Sequence, residues 1–598
     1  VSEQNEFESR LRRDPPDVRV RVARGATAGT VVGLAVGGLM VYQGMLDDPV
    51  GVAPGWVRFL LYATASGAAI GMVVRHRRRD LAAAAAGGVL IGLLGWLLFW
   101  LSLDPLWHAR IPTWSAGAAA GVYRQLVGSV LHGALTAVAL WALLTRSGRG
   151  RTPGRAPVEQ APRSRVVIVG GGFAGVSAAQ RFERLALRGV AVDVTVISDS
   201  NFLLFTPMLA EVASGALEPA HISAPVRAAV AHTRFRHGAV REIDTERRRL
   251  AVTAGPAPTE WVPYDHLVLA VGSVPHFLDL PGVAEHSHTM KDLTDATSLR
   301  GQVIEQLERA DHCTGDPVER EGLLTFVVAG GGFAGAETIA ELFDLVHGVL
   351  HYFPGITPDE PRFVLVHSRD RILPELSPQL AAYALDRLRA RGIEARLGVR
   401  VAAATATEVE LTDGSRIRTH TFVWTAGNRP SPLVAALRGP HARSGALVTD
   451  PTLRVAGLDG VWAVGDCAQI PDVDSARAPF PPTAQHAIRQ GKAVATNIAA
   501  VLAGREPAAF RFRTIGVLVA LGHRTAAAEI RGRRFSGLAA WLLWRGIYLA
   551  KLPGVEKRVR VLLDWLLDLA FPRDIVLATR RPSPPTTGPR PAPDELRR

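Results

Sequence analysis

The hexapeptide Gly-Gly-Gly-Phe-Ala-Gly occurs twice in this chain, at 170–175 and again at 330–335. Each copy follows a β-branched run, Arg165-Val-Val-Ile-Val and Leu324-Thr-Phe-Val-Val-Ala, and each leads into a helical pattern. That strand–turn–helix context is what a G-x-G-x-x-G loop requires to hold a dinucleotide. The first glycine (Gly170, Gly330) makes the tight turn, the second (Gly172, Gly332) lets backbone approach a pyrophosphate, and the third (Gly175, Gly335) lets helix and strand pack closely. Phe173-Ala174 and Phe333-Ala334 open the helices, whose free N–H groups and dipole favour a phosphate. Two copies imply two doubly wound parallel sheets and two dinucleotides. In the first unit the next strand, 192–197, ends at Ser198 and Asp199, where a ribose-binding acid is expected; its counterpart in the second unit ends at His367, with Ser368, Arg369 and Arg371 following.

Two further strands belong to the same scheme. Tyr264 to Gly272 is apolar and ends in small residues at Ala270 and Gly272, as expected where a chain passes under a cofactor. Val461-Trp-Ala-Val-Gly-Asp466 ends in Gly-Asp. Cys313 and Cys467 are the only cysteines and form no CxxC pair, which excludes a disulfide framework, a zinc ribbon, an iron–sulfur site and a dithiol reductase centre. Redox chemistry here needs a bound cofactor. The only lysines are Lys291, Lys492, Lys551 and Lys557 and no GxxxxGK[ST] occurs, so a P-loop is excluded. The net charge of +13 is concentrated in the first quarter, so it does not argue for nucleic acid.

That first quarter holds four apolar runs, at about 26–46, 56–74, 81–103 and 126–145, each of spanning length. Arginines cluster before the first run, between the second and third (Arg75 to Arg79) and after the fourth, while the other two loops are nearly neutral. The positive-inside rule then places both ends of the bundle, and everything after residue 155, on the cytoplasmic side of the cell membrane. Small residues such as Gly29, Gly33 and Gly37 permit close helix packing, and the bundle reads as an anchor or scaffold.

Taken together, the string resembles the two-dinucleotide-binding flavoproteins and, within them, the type II NADH dehydrogenases, which are single-chain NADH:quinone oxidoreductases. The likeness covers about 165–570. It rests on Gly170 to Gly175, Asn201-Phe-Leu-Leu-Phe-Thr-Pro-Met-Leu, Ala270-Val-Gly272-Ser273, Gly330 to Glu337 with Glu341, Trp424-Thr-Ala-Gly427, Ala463-Val-Gly-Asp466, Thr483-Ala-Gln485-His-Ala-Ile-Arg489-Gln490-Gly491 and Trp541-Leu-Leu-Trp544-Arg545. The resemblance implies an α/β fold in which an FAD domain is interrupted by an NAD(P)H domain. It implies FAD on the first loop with Asp466 at its ribityl–phosphate part, NADH or NADPH on the second loop with Gly427 nearby, and Glu337 near the nicotinamide. Gln485 is expected to touch both flavin and quinone, with Arg489 and Gln490 on the quinone side, so that Glu337 and Gln485 are the catalytic candidates. The sequence departs from the family pattern at Ser198, Arg489 and His367, and by its N-terminal extension. No metal site is expected.

The C-terminal run 556–570 is amphipathic, with Lys557, Arg560, Asp564 and Asp568 on one face, and with Trp541, Trp544, Arg545 and Tyr548 before it has the content of an interfacial membrane helix. The expected order is therefore a basic tail (1–25), four transmembrane helices (26–146), a linker (147–164), the leading segment of the FAD domain (165–320), an NAD(P)H domain (321–430), the returning segment of the FAD domain (431–504), a membrane-associated domain (505–579) and a disordered tail (580–598). The expected partners are a membrane quinone and the bilayer, with no nucleic acid; a homodimer is left open. The rival functions are a tethered reductase of a soluble electron carrier and a redox sensor signalling through the bundle.

Overall fold

A computed structural model describes residues 18–42, 55–73, 81–103, 106, 123–146, 163–255, 258–313, 315–474 and 479–577. The chain divides into two units, Val1–Pro162 with Pro553–Arg560, and Arg163–Leu552 with Val561–Arg598.

In the first unit the described residues form helices α1 (Val18–Tyr42), α2 (Gly55–Val73), α3 (Leu81–Gly95, continued by a π-helical stretch Trp96–Leu103) and α4 (Tyr123–Arg146). α1 begins within the expected basic tail, where the chain is already helical from Val18. Glycines let the backbones meet: a Cβ on Gly29 would strike Ala63 and Gly67, and one on Gly88 would strike Gly133. Val20–Met40 and Gln125–Leu144 are long and apolar enough to cross a membrane; Val57–Met72 and Ala84–Trp100 are shorter. Among the described residues two spans of full length stand where four were expected. Most arginines used to orient the runs lie outside the described residues, as do most of the linker and the last tail. His132 is fully buried on α4, its Nε2 3.0 Å from the Gly29 carbonyl and 3.2 Å from Thr136 Oγ1. Such a ring is a satisfied core histidine.

In the second unit the first sheet contains β1 (Ser164–Val169), β2 (Val192–Ser198), β3 (Arg234–His237), β4 (His266–Leu269) and a late-arriving strand Val461–Ala463, in the order Val461–Ala463, β4, β1, β2, β3, all parallel. β1 is buried on both faces, which explains its unbroken Val/Ile run. Helix α5 (Phe173–Ala186) follows β1 and packs its Ala178, Ala179 and Phe182 into the sheet core with Val494 and Ile498 from near the chain's end. A short helix α6 (Leu209–Ala213) projects toward the second sheet, whose core it shares.

The second sheet repeats the plan with helix α7 (Leu293–His312), β5 (Thr325–Ala329), helix α8 (Phe333–Val349), β6 (Arg362–His367), β7 (Ile393–Leu397) and β8 (Thr421–Trp424). Its order is His288–Thr289, β8, β5, β6, β7, again parallel. This corrects the expected boundary at 321: His288–Thr289 pairs with Val423 and Trp424, and α7 packs its Leu299, Val303 and Leu307 into one core with α8. The chain enters the second sheet before its glycine loop, so the loop does not mark the start of the domain. β9 (Val461–Ala463) then returns to the first sheet and leads to helix α9 (Ala484–Leu502). The unit closes with the antiparallel β10 (Gly516–Ala520), β11 (Ala526–Ile530) and β12 (Arg533–Ser536), helix α10 (Gly537–Lys551) and, from Val561 onward, helix α11 (Val555–Asp568).

The acids of α11 face inward. Asp564 and Asp568 are largely buried, paired with His221 at 2.5 Å and Arg573 at 3.1 Å. Leu562, Leu563, Leu566 and Leu567 face outward, joined by Leu538 and Leu542 of α10.

Candidate active site

The two glycine loops superimpose in conformation. Gly170 has φ 113° and Gly330 φ 117°, a region closed to side chains. Gly172 (φ −78°, ψ −167°) and Gly332 (φ −79°, ψ −170°) precede α5 and α8 without any side-chain cap. A Cβ on either would meet nothing within 4 Å, whereas one on Gly175 or Gly335 would collide with the carbonyl of Gly170 or Gly330. Each loop is thus an uncapped helix N-terminus facing open space, the cradle a dinucleotide pyrophosphate fits. Ala174 is buried behind the first loop, and Phe173 packs edge-on to Phe205 at 5.9 Å; Phe333 holds the matching place in the second.

The strand ends differ. Ser198 is buried and its Oγ accepts the Ser200 N–H at 3.3 Å, while the adjacent Asp199 is exposed and its carbonyl accepts from His237 Nε2 at 2.8 Å. In the second unit His367 Nδ1 accepts the Gly331 N–H at 3.0 Å, so the ring is tied to the glycine loop itself. Burial, then the charge of Arg369, lowers its pKa and keeps the imidazole neutral. Arg369 is exposed beside it, and Arg371 donates to the Pro374 carbonyl at 3.3 Å.

Ala270 lies against the first loop, since a Cβ on Gly170 would strike its carbonyl. Gly272 has φ 66° and open space at its α-carbon. Asp466 sits just beyond β9, and its Oδ2 accepts the Ser273 hydroxyl at 2.9 Å; Lys291 Nζ donates to the same hydroxyl at 2.9 Å. Lys291 carried no role in the sequence reading. Its only sequence signal was its rarity in an arginine-rich chain. Gly427 lies at the crossover between the sheets, its carbonyl accepting the His276 N–H at 3.0 Å.

On α9, Gln485 is half-buried, with Nε2 3.4 Å from the Gly516 carbonyl. Arg489 donates to the Gln485 carbonyl at 2.8 Å and its guanidinium lies 4.0 Å above the Phe512 ring. Gln490 does not share that surface. It is 3% exposed and its Oε1 accepts the Gly465 N–H at 2.9 Å, so it supports the Asp466 turn. Residues 489 and 490 are adjacent on a helix and so face about 100° apart.

Glu337, on the first turns of α8, accepts the Ala520 N–H at 3.0 Å. Burial, reinforced by the charges of Glu211 and Glu341, pushes its pKa up to about 8. Around it lies a group the sequence did not reveal. Glu211 of α6 accepts the Trp565 indole N–H at 3.2 Å and lies 3.6 Å from Arg545; Glu341 accepts the Ser214 hydroxyl at 2.7 Å and pairs with Arg573 at 3.4 Å. Burial, then Glu341, also pushes Glu211 up to about 8 despite Arg545. These acids close the seam between α6, α8, α10 and α11. No cluster of metal-ligating side chains occurs among the described residues.

Two open glycine cradles on two parallel sheets, with a carboxylate below the first, define a two-dinucleotide oxidoreductase. Residues 164–491 match the family model for pyridine nucleotide-disulphide oxidoreductases, and residues 515–574 match the NDH2 C-terminal domain. The chain is 32% identical over 446 residues to the type II NADH:quinone oxidoreductase Ndh of Mycobacterium tuberculosis, covering 72% of this chain and 92% of that one. It is 27% identical over 466 residues to the internal alternative NAD(P)H-ubiquinone oxidoreductase A1, mitochondrial, of Arabidopsis thaliana, covering 71% and 88%. Among solved structures, NDH2 from Plasmodium falciparum in complex with NADH shares the fold, with a TM-score of 0.64 at 17% identity over 69% of this chain and 100% of that one. The chain belongs to the type II NADH:quinone oxidoreductase family.

Proposed function

We propose that this chain is an FAD-dependent NAD(P)H:quinone oxidoreductase working at the cytoplasmic face of a membrane. The observation that carries this is the pair of matching cradles: one at Gly172 for FAD, with Asp466 and Ser273 at its far end, and one at Gly332 for the nicotinamide dinucleotide. FAD held by the Gly172 cradle and the Asp466–Ser273 end would supply the two-electron relay between hydride donor and quinone, with one further proton drawn from solvent. The protein's role is to hold the two dinucleotides in register and exclude water. In this reading Glu337, held largely protonated at neutral pH by burial, borders the nicotinamide pocket. Gln485 and Arg489 form the quinone side of α9, and no pumping follows from such a site.

Membrane association is supported by the outward leucines of α10 and α11, with exposed Lys551 at the end of α10. α1 to α4 are the second anchor, read as four spans, with Val31, Leu34, Leu131 and Leu135 turned outward and polar His132 inward.

The nucleotide site accepts NADPH as well as NADH. Where an acid would repel a 2′-phosphate, this chain has a neutral His367 beside Arg369.

Anaerobic reduction of the purified full-length chain by NADH or NADPH, followed by rapid mixing with a short-chain quinone or with a soluble carrier protein, tests the assignment. Fast flavin bleaching and fast reoxidation by quinone are expected; reoxidation only by the carrier would replace quinone as the acceptor.

A further inference from the structure

Lys291 stands where two tethers meet. Its backbone N–H donates to Asp295 Oδ2 at 2.7 Å, within the capping box that Asp292 and Asp295 form at the start of α7, so its position on the chain is fixed before its side chain is considered. The side chain then crosses to Ser273, the first residue of the short strand that links the two sheets. An ammonium can only donate. The Ser273 oxygen therefore accepts from Lys291, and its hydroxyl proton has one direction left, toward Asp466 Oδ2 at 2.9 Å. The polarity of the chain Lys291→Ser273→Asp466 is set by chemistry alone.

The electrostatics point outward from this triad. The Ser273 hydroxyl bridges Lys291 to Asp466, and it is the one hydrogen-bond partner of the half-buried ammonium among the described residues. Two of its three donors and the second oxygen of Asp466 have no protein partner there. Burial lowers the lysine's pKa and the Asp466 charge opposes that loss. Gly272 and Gly465 flank the triad with φ 66° and 74°, and a Cβ on Gly272 would meet nothing within 4 Å, so the space beside it is open. A half-buried cation whose hydrogen-bond partner is a neutral hydroxyl favours a ligand that brings negative charge.

We propose that Lys291 is a positioning residue of the FAD site, fixing the Asp466 carboxylate through Ser273 and setting a positive charge against the bound FAD. This rests on the FAD reading of the first cradle. The negative charge it meets belongs either to the pyrophosphate or to the reduced isoalloxazine, and the two are separable by measurement.

The full-length protein is stripped of flavin and titrated with FAD, and the midpoint potential of the reloaded protein is measured, for wild type, Lys291→Met, Lys291→Arg and Ser273→Ala. Loss of a charge-assisted contact weakens binding of the affected redox state by roughly tenfold or more. A pyrophosphate partner gives Lys291→Met a roughly tenfold higher Kd for oxidised FAD with an unchanged potential. A reduced-isoalloxazine partner leaves that Kd in place and moves the potential about 30 mV negative, the two-electron equivalent of tenfold. Lys291→Arg is expected to restore either property, and Ser273→Ala to reproduce some of the loss, at unchanged melting temperature of the apoprotein. Wild-type Kd and potential in Lys291→Met would overturn the proposal, as would a loss that Lys291→Arg and Lys291→Met share equally, which marks a packing role. Wild-type protein that takes up no FAD would instead refute the reading of the cradle.

Discussion

Glu337→Gln separates the charge of this carboxyl from its shape. The amide keeps an oxygen for the Ala520 N–H at 3.0 Å and removes the ionisation. In the folded protein burial lifts the Glu337 pKa from 4.5 to about 8, so between those values the folded state holds a proton that the unfolded chain has released. A group raised in this way contributes stability at low pH that is lost as pH rises through the window, at about 1.4 kcal/mol per pH unit. Between pH 5 and 7.5 the loss approaches about 3 kcal/mol, an upper value because Glu211, also lifted to about 8, can take up some of the response. The Gln variant does not bear this loss. Wild type and variant should melt together near pH 5, and the variant should melt higher by roughly 5 °C near pH 8, since 1 kcal/mol moves Tm by about 2–4 °C in units of 150–250 residues and less in larger ones. Melting followed by flavin fluorescence from pH 5 to 8.5 measures the gap. A gap that is the same at every pH would refute the reasoning, because a packing change alone carries no proton dependence.

Gly172→Val should fold, since nothing in the protein opposes its Cβ, and purify with little or no FAD; Gly175→Ala should instead lose stability against the Gly170 carbonyl, and flavin content with thermal melting distinguishes the two. Gln485→Ala is expected to slow reoxidation of the reduced enzyme by quinone while sparing reduction by NADH; stopped-flow measurement of the half-reactions checks this, and an effect on reduction alone would move the quinone elsewhere. His367→Glu should shift the NADPH/NADH ratio of kcat/KM toward NADH by about tenfold or more, the scale of a charge-assisted contact to a 2′-phosphate beside Arg369. A wild type that already discriminates strongly against NADPH would remove the basis for that prediction.

What the sequence determined by itself was whatever depends on neighbours in the chain. A positive φ at Gly170 and Gly330, a close approach at Gly175 and Gly335, and an uncapped helix start at Gly172 and Gly332 are all settled within a few residues, so the hexapeptide was enough to announce two cradles. The order of strands around them, with Val461–Ala463 joining the first sheet, was legible only through the family resemblance. Tertiary structure decided what depends on partners remote in sequence. Ser273 meets Asp466, Glu211 meets Trp565, and Asp564 turns toward His221, each across a separation that leaves no periodic signal. The last pairing shows what an inward-facing acid of α11 requires: a buried carboxylate needs a partner, His221 supplies one at 2.5 Å, and the leucines on the opposite face are left outside. Gln490 followed the same rule: its helix phase, not its proximity to Arg489, carried it inward to the Gly465 N–H. Local sequence fixes backbone conformation, while burial and pairing of polar groups are settled only where distant segments meet.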